Sequence, residues 1–261
     1  GIIRLSIFFG LFFIFAAIEY IFPRRTIVKS KARRWITNWA ITILNTLTLR
    51  LFSVALPLLA IGAAFDAQNL NVGFFNRINF SYWVEFLLVI LILDFAIWLQ
   101  HLLTHKIGFL WRIHRVHHSD TQMDVSTAIR FHPIEIALSM VLKIGLVYAL
   151  GADPLSILFF EILLNGSSMF NHANIKIPTR IDKVLRLFIV TPDMHRIHHS
   201  RDRNEHDTNF GFALSVWDRF FRTYKDYPQT KHEDMEIGLN WQDEKPEKLG
   251  WSLALPFRKN E

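Results

Sequence analysis

Residues 83–105 read "WVEFLLVILILDFAIWLQHLLTH", and the junction near residue 100 decides how the rest is read. Residues 83–100 are apolar over a length that suits a bilayer core. They end by delivering His101 and His105, four residues apart, to the membrane boundary. Two further stretches repeat the theme: "HRVHH" at 114–118 and "HRIHH" at 195–199. Offsets of three and four residues share one helix face, so each stretch projects its imidazoles in one direction. The eight residues are His101, His105, His114, His117, His118, His195, His198 and His199. They cannot all be charged while packed together, because like charges repel in a low dielectric. Neutral imidazoles with converging lone pairs are metal ligands. The two repeats thus read as matching halves of one metal cage. Eight donors exceed the four to six that one first-row ion takes, so two ions fit better. His132 in "RFHPIE" and His172 in "FNHANI" join them, making ten, whereas His206 and His232 read as ordinary structural histidines. No Glu-x-x-His pattern occurs, so the site is nearly all nitrogen, unlike the carboxylate-rich di-iron bundles.

Working outward, the chain has 261 residues, 51% hydrophobic, with the apolar ones in blocks. Residues 5–22 form a first span carrying Glu19 and read as a span rather than a cleaved signal peptide. "PRRTIVKSKARR" at 23–34 has six bases and no acid, which places it in the cytoplasm. Residues 36–64 read as a second span interrupted by Arg50 and Pro57, and 65–82 as an outer connector. Residues 83–100 return. Residues 134–150 and 154–171 are two short spans, or a hairpin that dips in and returns, turning at "GADP". All histidine-rich segments then fall on the cytoplasmic side. The expected fold is an all-α integral membrane bundle of about four to five spans, or with a re-entrant hairpin. A cytoplasmic helical cap holds the dimetal site. Expected divisions are N-terminal membrane helices at 1–80, a catalytic domain at 81–225 and a tail at 226–261. The net charge of +6 has no nucleic-acid-binding motif beside it and fits loops facing anionic lipid. The absence of cysteine excludes disulfides, thiolate-bound haem and a cysteine nucleophile.

"DFAIWLQHLLTHKIGFLWRIHRVHHSD" at 94–120 and "TPDMHRIHHSRDRNEHDTNFGFALSVWDRFFRTY" at 191–224 closely resemble the fatty acid hydroxylase and sterol desaturase superfamily. The likeness covers roughly residues 80–225 and is greatest to bacterial and alkylglycerol-monooxygenase-like members. The resemblance implies a di-iron, dioxygen-using enzyme of the bacterial inner membrane that acts on lipid. Carried over by position, its ligands are His101, His105, His114, His117, His118, His172, His195, His198 and His199. His132 matches a His-Pro that many members carry. Some members have four residues between the first two histidines and a histidine four after the counterpart of His172. Here the gap is three, and Lys176 stands at the later position, which leaves His132 as the candidate tenth ligand.

Asp94, two helical turns before His101, is a suspect because an acid within a span is usually functional. Pairing with Arg50 is the alternative. Asp193 either orients His195 or caps its helix. Asn209 and Asp218 match positions in the family. Lys143 reads as a snorkelling surface lysine.

The implied reaction is hydroxylation of a lipid C–H bond with O2 and two electrons. Desaturation on the same scaffold is the alternative, and a zinc-dependent membrane hydrolase a more distant one. Imidazoles suit zinc at least as well as iron by affinity, so zinc can fill the site in a recombinant preparation. No GxGxxG fingerprint is present. Electrons must therefore come from a redox protein or a diffusible reductant such as reduced pterin, which the alkylglycerol branch uses. The substrate comes from the bilayer.

Overall fold

The computed structural model describes residues 2–55, 59–78 and 80–259. Helices dominate: α1 (Ile2–Ile21), α2 (Lys31–Ala55), α3 (Ala60–Asn69), α4 (Tyr82–Lys106), α5 (Gly108–His118), α6 (Pro133–Leu150) and α7 (Pro154–His172). Short helices follow: α8 (Thr179–Leu185), α9 (Pro192–His198), α10 (Arg203–His206), α11 (Val216–Phe220) and α12 (Leu249–Ala254). Among the described residues no strand forms, only isolated bridges.

α1, α4 and α6 are long and apolar enough to cross a membrane. They leave large apolar side chains exposed, among them Phe13, Leu87, Leu91 and Val141, as lipid-facing helices do. α7 is different. It is flanked by α1, α3 and α4, packs on α9, and carries Asn165, Ser168 and Asn171 among its apolar residues. A helix covered by protein on several sides can hold polar groups that lipid would penalise.

The expected second span of 36–64 is two helices. α2 begins at Lys31 and ends at Ala55, and α3 is a separate ten-residue helix packed on α6 and α7. Pro57 lies outside the described residues. Lys143 does not snorkel. It sits partly buried in α6, 3.4 Å from Glu161 of α7, and Glu161 also binds Arg4 of α1. The pair needs no solvent because each charge has its counter-ion inside the bundle.

Two turns meet at one end of the long helices. Gly151 ends α6 in the left-handed conformation that glycine accepts, and Gly73 opposite it has φ of 99°. Phe74 and Phe75 donate their N–H groups to Ala149 and Leu150. At the other end the connector after α1 meets the end of α7, where Arg24 N–H donates to the Asn174 carbonyl. Glu19 accepts there from the Val125 and Asn174 amides and from Lys31. Arg34 makes two bonds to Asp120, at 2.7 and 2.8 Å, and one of 2.7 Å to Asp124. Arg130 is held by Asn38, Ser119, Ser252 and the carbonyls of Val116 and Pro246. Arg130 thereby ties the segment after residue 244 to the bundle, with Trp251 and Leu255 packed on Ile41 and Val116.

Candidate metal centre

All the histidine-rich segments converge at this second end. α4 carries His101 and His105 near its C-terminus, α5 carries His114, His117 and His118, and α7 ends on His172. His195 and His198 lie on α9, and His199 follows as its C-cap. α4 and α5 are joined by a bend at Ile107, so their imidazoles face each other. None of the nine is more than 5% exposed.

They form two groups. His101, His105, His114, His118 and His198 each offer a nitrogen, all within 4.8 Å of one another. His117, His172, His195 and His199 form the second group by the same measure. The sequence repeats are therefore not halves of the cage. Each repeat straddles both groups: His114 and His118 join the five while His117 joins the four, and in the second repeat His198 joins the five while His195 and His199 join the four. Residues i and i+4 lie about 40° apart around a helix and i+3 lies on the other flank, so three imidazoles on one face can serve two centres.

The nitrogen chemistry fits metal ligation. His101, His172 and His198 hold their Nδ1 atoms 2.7 Å from the carbonyl oxygens of Phe210, Ser168 and Thr208. A carbonyl only accepts, so Nδ1 carries the proton and Nε2 the lone pair. Nε2 of His101, His114 and His198 is buried without a hydrogen-bond partner. The Nε2 atoms of His105 and His118 approach to 3.1 Å, and that of His172 lies 3.0–3.1 Å from those of His117, His195 and His199. Two nitrogens each about 2.1 Å from one ion and at right angles lie about 3.0 Å apart. Burial first, and then the neighbouring imidazoles, push the pKa of His117, His118, His195 and His199 well below the ordinary value. For His198 burial and then His101 do the same. Neutral imidazole is the ligating form.

His132 joins neither group. It caps the N-terminus of α6, its Nδ1 accepting from the Ile134 amide, and its Nε2 lies 3.2 Å from the Leu253 carbonyl. Glu135, one turn further on and not singled out from the sequence, reaches the site instead. Its Oε1 is 2.6 Å from Nδ1 of His114, and the acid is buried. Its only sequence signal was three residues' distance from His132. His206, read as ordinary, stacks on Trp111 at 5.2 Å and lies with Asp207 beside His105.

The four other candidates, Asp94, Asp193, Asn209 and Asp218, bond to groups outside the nine imidazoles. Asp94 accepts from Trp217 Nε1 at 2.8 Å and the Leu214 amide at 3.3 Å, so its carboxylate faces the 213–217 turn. Asp193 neither orients His195 nor caps α9, a role taken by Thr191. It binds Arg196, Arg24 and His232, and although burial opposes its charge, Arg196 and its other cationic neighbours hold its pKa below the usual range. Asn209, in the left-handed conformation at φ 55°, donates to the carbonyls of Met194 and Lys225 and so clamps its loop to α9. Asp218 accepts from Trp98, Phe210, Gly211 and Thr223, all within 3.0 Å. It thereby fixes the loop whose Phe210 carbonyl orients His101. Phe212 closes that loop over the site, 4.9 Å from His101 and 6.1 Å from His195.

A helical membrane protein enclosing two adjoining all-histidine clusters is thus defined by its own geometry. The fatty acid hydroxylase family matches residues 86–223, just over half of the chain, and the chain belongs to that family. All nine clustered histidines lie in the matched stretch. The ornithine lipid hydroxylase OlsE of Rhizobium tropici is 31% identical over 153 residues, 59% of this chain and 45% of that protein. Alkylglycerol monooxygenase of Homo sapiens is 28% identical over 146 residues, 56% of this chain and 31% of that protein. Cholesterol 25-hydroxylase of Rattus norvegicus is 26% identical over 151 residues, 56% of this chain and 48% of that protein. The chain spans less than half the length of these curated relatives. No solved structure matches it.

Proposed function

We propose that the protein is a membrane di-iron monooxygenase that hydroxylates a lipid C–H bond with O2 and two electrons from a separate donor. The observation that carries this reading is the division of nine buried imidazoles into groups of five and four. Each group would hold one ion, and iron in such a pair supplies the oxidising power that an unactivated C–H bond requires. Glu135 and the carbonyls of Phe210, Ser168 and Thr208 hold four ligands in their metal-binding tautomer. Phe210 and Phe212 keep water from the clusters. Names of relatives support a lipid substrate: they include an ornithine lipid hydroxylase and alkylglycerol monooxygenases. The substrate's chain would come from the bilayer along the apolar helices. The six bases of residues 23–34, in the connector after α1 and the first turn of α2, favour a cytoplasmic site.

The test combines metal analysis of protein from iron-supplemented cells with lipid mass spectrometry of cells carrying the wild type or His198→Ala. Expected are about two irons per chain and a lipid class heavier by one oxygen that the variant lacks. A product lighter by two hydrogens would instead mean desaturation. A product formed equally well without O2 would overturn the oxygenase reading.

A further inference from the structure

α8 and α11 are inside out. On α8, Asp182 is buried and paired with the buried Arg186 that follows the helix, while Ile181 and Val184 are exposed, Val184 at 59%. Leu187 and Phe188 extend this outward apolar face just past the helix. On α11, Asp218 is buried, while Val216 and Phe220 face outward, Phe220 at 76%. In water this arrangement wastes apolar surface and desolvates charge. The two helices form one unit: Ser215 N–H donates to the Phe188 carbonyl, Ser215 Oγ to that of Arg186, and Val190 N–H to that of Ala213.

The unit also sits deep. Phe221 stacks on Trp98 of α4 at 4.6 Å, and Phe95 packs on Trp217 at 5.1 Å. Asp94 precedes His101 by seven residues, which at 1.5 Å per residue puts the turn it holds about 10 Å further along α4 toward the bundle centre. Exposed bases border the apolar face: Lys176, Arg180, Lys183 and Arg222. Both acids of α8 and α11 are buried.

We infer that α8 and α11 form an in-plane platform immersed in the anionic lipid leaflet that α4 crosses, with the bases at the headgroups. The continuous apolar surface from α4 to α11, bordered by exposed bases, selects this occupant over a second copy of the chain. The inference rests on α4 spanning the membrane and not on the metal. The platform adjoins the loop bearing Phe210 and Phe212, so it borders the route from leaflet to histidine clusters.

The chain has no cysteine, so single cysteines carry a fluorescent label cleanly. Labels are placed at Val184→Cys and Phe220→Cys, with Leu91→Cys on the exposed face of α4 and Glu236→Cys on the exposed polar surface as references. The full chain is reconstituted in vesicles of phosphatidylglycerol and phosphatidylcholine. Brominated acyl chains should quench positions 184, 220 and 91 several-fold more than 236, and aqueous iodide should do the reverse. Labels at 184 and 220 that behave like 236 while 91 is quenched by lipid would overturn the platform alone. Failure at 91 as well would overturn the span on which it rests. Protection from both quenchers in a dimeric protein would assign the face to a second copy. Unchanged lipid quenching at 184 in phosphatidylcholine alone would overturn the part given to the bases.

Discussion

Glu135 and His132 stand three residues apart, and the fold gives them opposite roles. The buried Glu135 carboxylate, 2.6 Å from Nδ1 of His114, fixes the orientation of that ring. Losing such a partner typically weakens metal affinity about 10–100-fold. Glu135→Gln is therefore expected to release metal during dialysis against a graded chelator, with the loss confined to one of the two ions. His132→Ala should retain both ions and lose only a helix cap, on the order of 1 kcal/mol in thermal stability. Metal content per chain after dialysis checks both, and retention by Glu135→Gln would remove the carboxylate from the site. The sequence pointed to His132 because imidazole is a ligand type. In "HPIE", though, Pro and Glu are also ordinary helix-start residues, so Glu135 read as a favourable first-turn acid. Its contact with His114 is made only when α6 packs beside α5.

At the scale of elements, α4 and α11 hold the loop over the clusters. Asp218 takes hydrogen bonds from four groups, and Gly211 leaves no room for a side chain. A Cβ at Gly211 would lie 2.7 Å from Val190 Cγ2 and 2.9 Å from the Leu214 oxygen. Asp218→Ala leaves buried donors unpaired at about 1–3 kcal/mol each. Both Asp218→Ala and Gly211→Ala should lower the melting temperature. Both should also loosen metal, because the Phe210 carbonyl would no longer hold His101. Asp218→Asn keeps part of the acceptor set and should fall between. Melting curves paired with metal content decide: a fall in stability with metal fully retained would separate the loop from the site. Helix-face periodicity made the convergence of imidazoles legible, since i, i+3 and i+4 must share a side. It could not divide them into five and four, because that depends on how α5 and α9 cross. Nor could it mark α8 and α11 as inside out, since short mixed segments show polar and apolar faces without saying which one the protein covers.

For the whole molecule, the apolar blocks of α1, α4 and α6 made a membrane bundle legible, while the run at 36–64, read as one span interrupted by Arg50 and Pro57, divides into α2 and α3. The unusual cost of the assembly is electrostatic. Burial and mutual repulsion hold His117, His118, His195, His198 and His199 neutral in the folded chain. In the unfolded chain each titrates near the ordinary value of about 6.5. Below that pH the unfolded state binds more protons than the folded one, so stability falls as pH falls. Above about pH 7 both states are neutral at these residues and their contribution is constant. Metal-free protein in detergent should therefore melt at a nearly constant temperature from about pH 8 to 7 and at steadily lower temperatures from about 6.5 toward 5. Loading with iron should raise the whole curve, because the ions bind only the folded, deprotonated set. The gap between the two curves should then narrow as protons compete for the nitrogens. A metal-free melting temperature that stays flat down to about pH 5 would mean that the imidazoles accept protons in place, and so that water reaches them in the folded chain.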